Sequence, residues 1–182
     1  MVTPVPRPVA IVIGPPGAGK TTIGTALAAR LGTSIHDTDA AIEAAQGRSI
    51  SDIFVDDGEQ TFRALERAEV ARALAEEEGV VALGGGALMD PATEAALAGA
   101  PAVVLLEVGI ADASKRIGFD RSRPLLSVNP RASWVAMMNA RRETYQRVAT
   151  IRVDTAGRTP DEIVDEIVAA LGSTGDATGD GE

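Results

Sequence analysis

The chain has 182 residues, 45% of them hydrophobic, no cysteine and a formal net charge of −9. That length suits one domain whose core needs no covalent staple, and the missing cysteines exclude a disulfide framework and thiolate metal sites. The acidic balance argues against a general affinity for nucleic acid or an anionic membrane, so a polyanion would have to be met by arginines gathered locally. With no apolar run long enough to span a bilayer and no signal-peptide pattern, the expected location is the cytoplasm.

Residues 1–8 are proline-rich and expected to be disordered. Residues 9–13 (VAIVI) read as a buried strand and 21–31 as an alanine-rich helix, with GPPGAGKT at 14–21 between them. A strand, a loop of the form G-x-x-x-x-G-K-[ST] and a helix make the P-loop that holds nucleotide phosphates. Gly17 and Gly19 can take backbone conformations closed to other residues, so the loop can wrap an anion in N–H groups. The helix adds its positive N-terminal end. Gly17, Ala18, Gly19, Lys20, Thr21 and Thr22 are the candidate phosphate-binding residues. Lys20 is expected at the β- and γ-phosphates and the Thr21 hydroxyl at Mg²⁺, which makes ATP with Mg²⁺ the predicted cofactor pair.

A short strand at 34–36 runs into Asp37-Thr38-Asp39. Loops after the C-terminal ends of parallel strands share one edge of the sheet, so both carboxylates belong beside the P-loop. One can face Mg²⁺ and the other an acceptor hydroxyl; alternatively, Asp39 caps a helix over 40–46. Helices are predicted at 51–57 and 58–78, where Arg63 alone reads as a solvated surface residue. The strand at 80–83 is apolar throughout, as expected of one covered on both faces. It ends in Gly84-Gly85-Gly86, which either turns the chain sharply or, as we favour, sets bare backbone against a small ligand.

A helix at 91–98, a strand at 103–107 and a helix at 110–117 follow. FDRSRPLL at 119–126 then breaks the helical pattern, and an arginine loop opposite a P-loop can close over a transferring phosphate. Arg116, Arg121, Arg123, Arg141 and Arg142 form the expected local gathering. On the helix at 132–148, Trp134, the Met137–Met138 pair and Tyr145 read as packing. A strand at 151–153 and a helix at 160–171 complete the alternation, and the acidic tail 172–182 is expected to be disordered. His36, the only histidine, reads as structural or exposed, and no His or Cys spacing suggests zinc. Short apolar strands between amphipathic helices predict one α/β domain over 9–171, a parallel sheet with helices on both faces.

In this order GPPGAGKT, DTD, FRALE, GGGA, SRPLL and RRETYQRVA resemble the shikimate kinases over nearly the whole of 9–171. The resemblance implies a three-layer α/β/α P-loop kinase fold of the nucleoside-monophosphate-kinase type. It would have a five-stranded parallel sheet, a lid near 116–126 and a substrate-binding region. It implies transfer of the γ-phosphoryl group of ATP to the 3-hydroxyl of shikimate, on the route to chorismate and the aromatic amino acids, by a cytoplasmic monomer.

Carried over position by position, Lys20 is the phosphate lysine, and Thr21 and Asp37 attend Mg²⁺. Asp39 holds the shikimate hydroxyls and orients or deprotonates the acceptor. Arg63 and Arg141 take the shikimate carboxylate, and Gly84, Gly85 and Gly86 line its pocket. Arg123 is the lid arginine reaching phosphate and substrate. Arg116 and Pro160 sandwich adenine, with Asp154 opening the adenine loop. Arg141 is chosen over Arg142 because the family places that arginine four residues before its tyrosine, here Tyr145. Glu143-Thr144 stands where the family commonly has Pro-Leu, so the geometry must decide between the two arginines. The nearest alternative is a kinase of the same fold acting on another polyol acid such as gluconate. A more distant one is a nucleotide-binding module that switches partners without phosphorylating a metabolite.

Overall fold

The computed structural model describes residues 8–100, 102–117 and 129–176. Strand and helix alternate from the start: β1 (Ala10–Ile13), α1 (Lys20–Leu31), β2 (Ile35–Asp37), then the helices α2 (Thr38–Gln46), α3 (Ile50–Asp57) and α4 (Glu59–Glu76). β3 (Val80–Ala82) leads through a 3-10 turn at Ala87–Met89 into α5 (Pro91–Leu97). β4 (Val103–Glu107), α6 (Ile110–Ile117), α7 (Pro130–Val148), β5 (Ile151–Asp154) and α8 (Pro160–Asp176) complete the order. Among the described residues the five strands form one sheet in the order β2-β3-β1-β4-β5, every pair parallel.

Successive side chains of a strand point to opposite faces, and here both faces are covered. Ala10 and Val12 of β1 pack with Leu27 of α1 and with Ile163 and Ile167 of α8. Ile11 and Ile13 pack on the other side with Val70 of α4, Leu97 of α5 and Tyr145 of α7. This is the expected three-layer arrangement. A smaller separate cluster, Ile42, Ile53 and Phe62, holds α2, α3 and the start of α4 together. None of the described helices is long and apolar enough to cross a membrane.

The registers Val12↔Ala82 and Asp37↔Ala82 align the C-terminal ends of β1, β2 and β3. The P-loop, Asp37-Thr38-Asp39 and the three glycines therefore emerge on one edge, beside the point where the chain crosses from β3 to β4.

Three expectations need correction. Asp37, not Asp39, caps α2: its carboxylate accepts from the backbone N–H of Asp39 and Ala40, so the helix opens at Thr38. The tail does not leave its helix at 172, because α8 runs on to Asp176. Leu171 still packs on the core and the Ser173 hydroxyl donates to the Ala169 carbonyl at 2.9 Å, and an established helix gains one bond for each further residue fixed. Pro8, expected to be disordered, is buried at the foot of β1. Residues 1–7, the loop 118–128 with Arg121 and Arg123, and residues 177–182 lie outside the described residues.

Candidate active site

The P-loop takes its shape from two glycines. Gly17 and Gly19 sit at φ of 82° and 87°, the left-handed region that costs an L-residue about 1–2 kcal/mol. Gly19 stands immediately before α1, so the loop delivers its N–H groups and the helix end to the same point. The Lys20 ammonium reaches back to donate to the Pro15 carbonyl at 3.1 Å. The Thr21 hydroxyl donates to Asp37 Oδ2 at 2.5 Å, while Asp37 Oδ1 accepts the N–H of Asp39 at 3.0 Å and of Ala40 at 3.2 Å. One carboxylate thus fixes the start of α2 and holds the hydroxyl predicted at Mg²⁺.

Asp39, in the first turn of α2, presses on the glycine run. A Cβ at Gly84 would lie 2.3 Å from Asp39 Oδ1, one at Gly85 3.0 Å from the Pro16 ring, and one at Gly86 2.3 Å from Arg63 Nη1. The run therefore has a third cause beyond a turn or a ligand: it leaves room for the side chains of Asp39 and Arg63. Thr38, fully buried, ties this corner together by donating to the Ala82 carbonyl and accepting the Gly84 N–H at 3.1 Å.

Arg63 is no surface arginine. Its Nη1 meets Glu66 at 2.6 Å, its guanidinium lies 5.3 Å from the Phe62 ring centre and 6.0 Å from that of Phe54, and Glu59 stands 3.5 Å away. Glu66 is only 4% exposed. Burial pushes its carboxyl above the ordinary value, and the attraction of Arg63 offsets part of that rise. From α7, Arg141 donates to the Gly85 carbonyl at 2.7 Å. Arg141 lines the cleft and Arg142 is exposed.

Thr21, Asp37, Asp39, Arg63, Glu66, Gly85, Gly86 and Arg141 line one cleft of about 570 Å³. At one end it offers hard oxygen donors, at the other two cations with bare backbone between them, and a carboxylate in the middle. That arrangement suits a small hydroxylated anion held beside a nucleotide phosphate. Comparison with known proteins decides the family. The family model described as shikimate kinase matches residues 16–172.

The chain belongs to the shikimate kinase family.

The shikimate kinase of Thermobifida fusca is 55% identical over 170 residues, 93% of this chain and 98% of its own. A shikimate kinase from Acinetobacter baumannii, solved in complex with shikimate, matches with a TM-score of 0.86 at 32% identity, over 90% of this chain and 92% of that one. A gluconokinase from Sinorhizobium meliloti matches with a TM-score of 0.57 at 23% identity, over 95% of each chain, a likeness of fold alone.

Shikimate kinases use ATP and Mg²⁺, and the residues present fit both. Among the described residues no group of three His, Cys, Asp or Glu side chains forms a metal cage. The Thr21–Asp37 pair is instead the sparse oxygen set that Mg²⁺ accepts when phosphates and waters complete its shell. Thr22 is exposed on α1 beside Thr21, and Ala18 is buried within the loop.

The adenine candidates fall on three separate elements. Pro160 opens α8 and is exposed, Asp154 ends β5 and accepts the Ala156 N–H at 2.9 Å, and Arg116 lies on α6. Arg123 lies outside the described residues. The sequence reading missed Glu66, Phe54, Phe62 and Pro16 as cleft residues. For Glu66 a signal existed, since it stands three positions after Arg63 and so shares its helix face. His36 is structural, with Nε2 2.6 Å from Glu69 and 3.0 Å from Arg72.

Proposed function

We propose that this cleft transfers the γ-phosphoryl group of ATP to the 3-hydroxyl of shikimate, with the residues of the two ends in separate roles. The observation that supports it is the convergence of Arg63, Arg141 and Asp39 on the backbone of Gly84 to Gly86, directly beside the Thr21–Asp37 pair.

In this reading Arg63 and Arg141 hold the shikimate carboxylate, where guanidinium forks match a carboxylate best. The glycine backbone lets the ring lie close. Asp39 accepts a hydrogen bond from the acceptor hydroxyl and takes its proton as the hydroxyl oxygen bonds to phosphorus and the bond to the departing ADP oxygen breaks. The P-loop N–H groups and Lys20 hold the phosphates through the charge shift, with Gly17, Ala18, Gly19, Thr21 and Thr22 shaping the cradle. Thr21 and Asp37 would hold Mg²⁺, which when bound would neutralise charge on the phosphate oxygens. Arg116 and Pro160 flank adenine, and Arg123 closes over phosphate and substrate; these three rest on the family resemblance. The protein acts as a cytoplasmic monomer without nucleic acid or membrane partner.

The test is ADP release by purified protein with ATP and Mg²⁺, with shikimate, with gluconate and with no acceptor. Release that depends on shikimate is the expected result. Release with gluconate instead, or none from protein that binds ATP, would overturn the acceptor assignment.

A further inference from the structure

Tyr145 was read from the sequence as packing, and it does pack: it is 3% exposed within the cluster that covers one face of the sheet. Its hydroxyl does something more specific. It donates to the Gly85 carbonyl at 2.9 Å, and the same oxygen accepts Arg141 Nη1 at 2.7 Å. The two donors stand one helical turn apart on α7, which brings side chains four residues apart onto one face. Gly85 therefore carries a doubly held carbonyl in the wall of the acceptor cleft.

The two donors are not equivalent. Arg141 has several N–H groups and faces the cleft, so a carboxylate arriving there competes for it. Tyr145 has one O–H, buried and aimed at Gly85. Burial pushes that hydroxyl above its ordinary value, against the lowering by Arg141, so it is a protonated donor at neutral pH. When Arg141 turns to a ligand, the Tyr145 hydroxyl is what keeps the Gly85 carbonyl satisfied. Because the peptide is planar and trans, it also keeps the following Gly86 N–H turned the opposite way.

We propose that Tyr145 is a positioning residue for the acceptor: its hydroxyl fixes the Gly85–Gly86 peptide and frees Arg141 to engage the substrate carboxylate. This rests on the acceptor reading above. A Phe at 145 keeps the ring and its packing but leaves the Gly85 carbonyl dependent on Arg141 alone. Engaging the carboxylate then costs that carbonyl its donor.

The test is Tyr145→Phe, with shikimate binding followed calorimetrically without ATP and steady-state kinetics measured alongside. The expected result is a shikimate Kd and KM raised about five- to tenfold, the scale of one neutral hydrogen bond. The turnover number, the KM for ATP and the melting temperature should stay near the parental values. In an Arg141→Ala background no arginine remains to be released and only the hold on the Gly85–Gly86 peptide is lost, so the same substitution should raise the shikimate Kd clearly less than it does in the parent. Unchanged shikimate binding by Tyr145→Phe, a fall in melting temperature alone, or equal effects in both backgrounds would overturn the proposal. A parental protein that binds no shikimate would overturn the acceptor reading itself, an outcome distinct from the others.

Discussion

On the side proposed for the nucleotide, Gly17 and Gly19 hold φ of 82° and 87°, and in that reading the backbone itself is the binding surface. On the acceptor side, Gly84, Gly85 and Gly86 have no positive φ; they are glycine because Asp39, Pro16 and Arg63 occupy the space a Cβ would take. The first set is a local device written in eight consecutive residues. The second joins four segments, at residues 16, 39, 63–66 and 141–145, around the end of β3. Backbone cradles hold a group that every nucleotide shares, whereas side chains brought from several elements can select one acceptor.

The sharpest way to break that comparison is Asp39→Asn. The amide keeps the size of the side chain against Gly84 but takes no proton, so turnover should fall by about 10²–10⁴-fold, the range for a positioned general base. Nucleotide affinity, set on the other side, should hold. Stopped-flow or steady-state ADP release with a parallel nucleotide titration checks both, and turnover at the parental rate would remove Asp39 from the chemistry.

Next comes Gly86→Ala. The new methyl meets the far end of a flexible side chain, Arg63 Nη1 at 2.3 Å, so the fold survives while the arginine loses its aim. With charge-assisted hydrogen bonds worth about 1.5–3 kcal/mol, the shikimate KM should rise about 10- to 100-fold and the melting temperature should barely move. Gly79→Ala is the counter-example, since its Cβ would lie 2.2 Å from the backbone oxygen of Ser34. There the fold has to yield, at about 1–3 kcal/mol, and the loss should appear in the melting curve.

This division also governs what could be read from the sequence. The P-loop was legible because its cause is local: strand, glycines, lysine and hydroxyl are neighbours in the chain. The sheet and its two covered faces were legible because buried parallel strands are apolar throughout. Arg63, taken alone, looked like a surface residue, since nothing in DGEQTFRALE shows that Gly86 leaves space for its guanidinium. Only the ordered set of motifs placed it in the site. The sequence leaves Asp39 as a cap or a site residue because Asp37 and Asp39 both precede the same helical pattern, and only the backbone geometry shows that Asp37 is the cap. The hydroxyl of Tyr145 had no sequence signal at all, because its partner lies sixty positions earlier.

Thr21→Ala probes the seam between the two sides. It removes the hydroxyl that Asp37 holds at 2.5 Å without touching the acceptor pocket. The Mg²⁺ concentration for half-maximal activity should rise about tenfold, the order of one hydrogen bond to a charged group, and the shikimate KM should stay put. A shift in the acceptor KM instead would mean that Asp37 orients Asp39 through the turn it caps.

The smallest effect concerns the cost of building the acceptor side from side chains. Glu66 is buried against Arg63, and its carboxyl sits above the ordinary value because desolvation outweighs that attraction. The folded chain therefore binds the Glu66 proton more readily than the unfolded one. That contribution to stability is complete below the unfolded pKa, about 4.3, and is lost as pH rises through the higher folded value. Glu66→Gln cannot lose a proton and keeps an oxygen for Arg63. The melting temperature of Glu66→Gln relative to the parent should therefore shift in the variant's favour as pH rises from about 4 toward neutrality, by a small amount best read from the difference between paired melts. A difference that moved the other way would mean that the Glu66–Arg63 ion pair returns more than burial of the carboxylate costs.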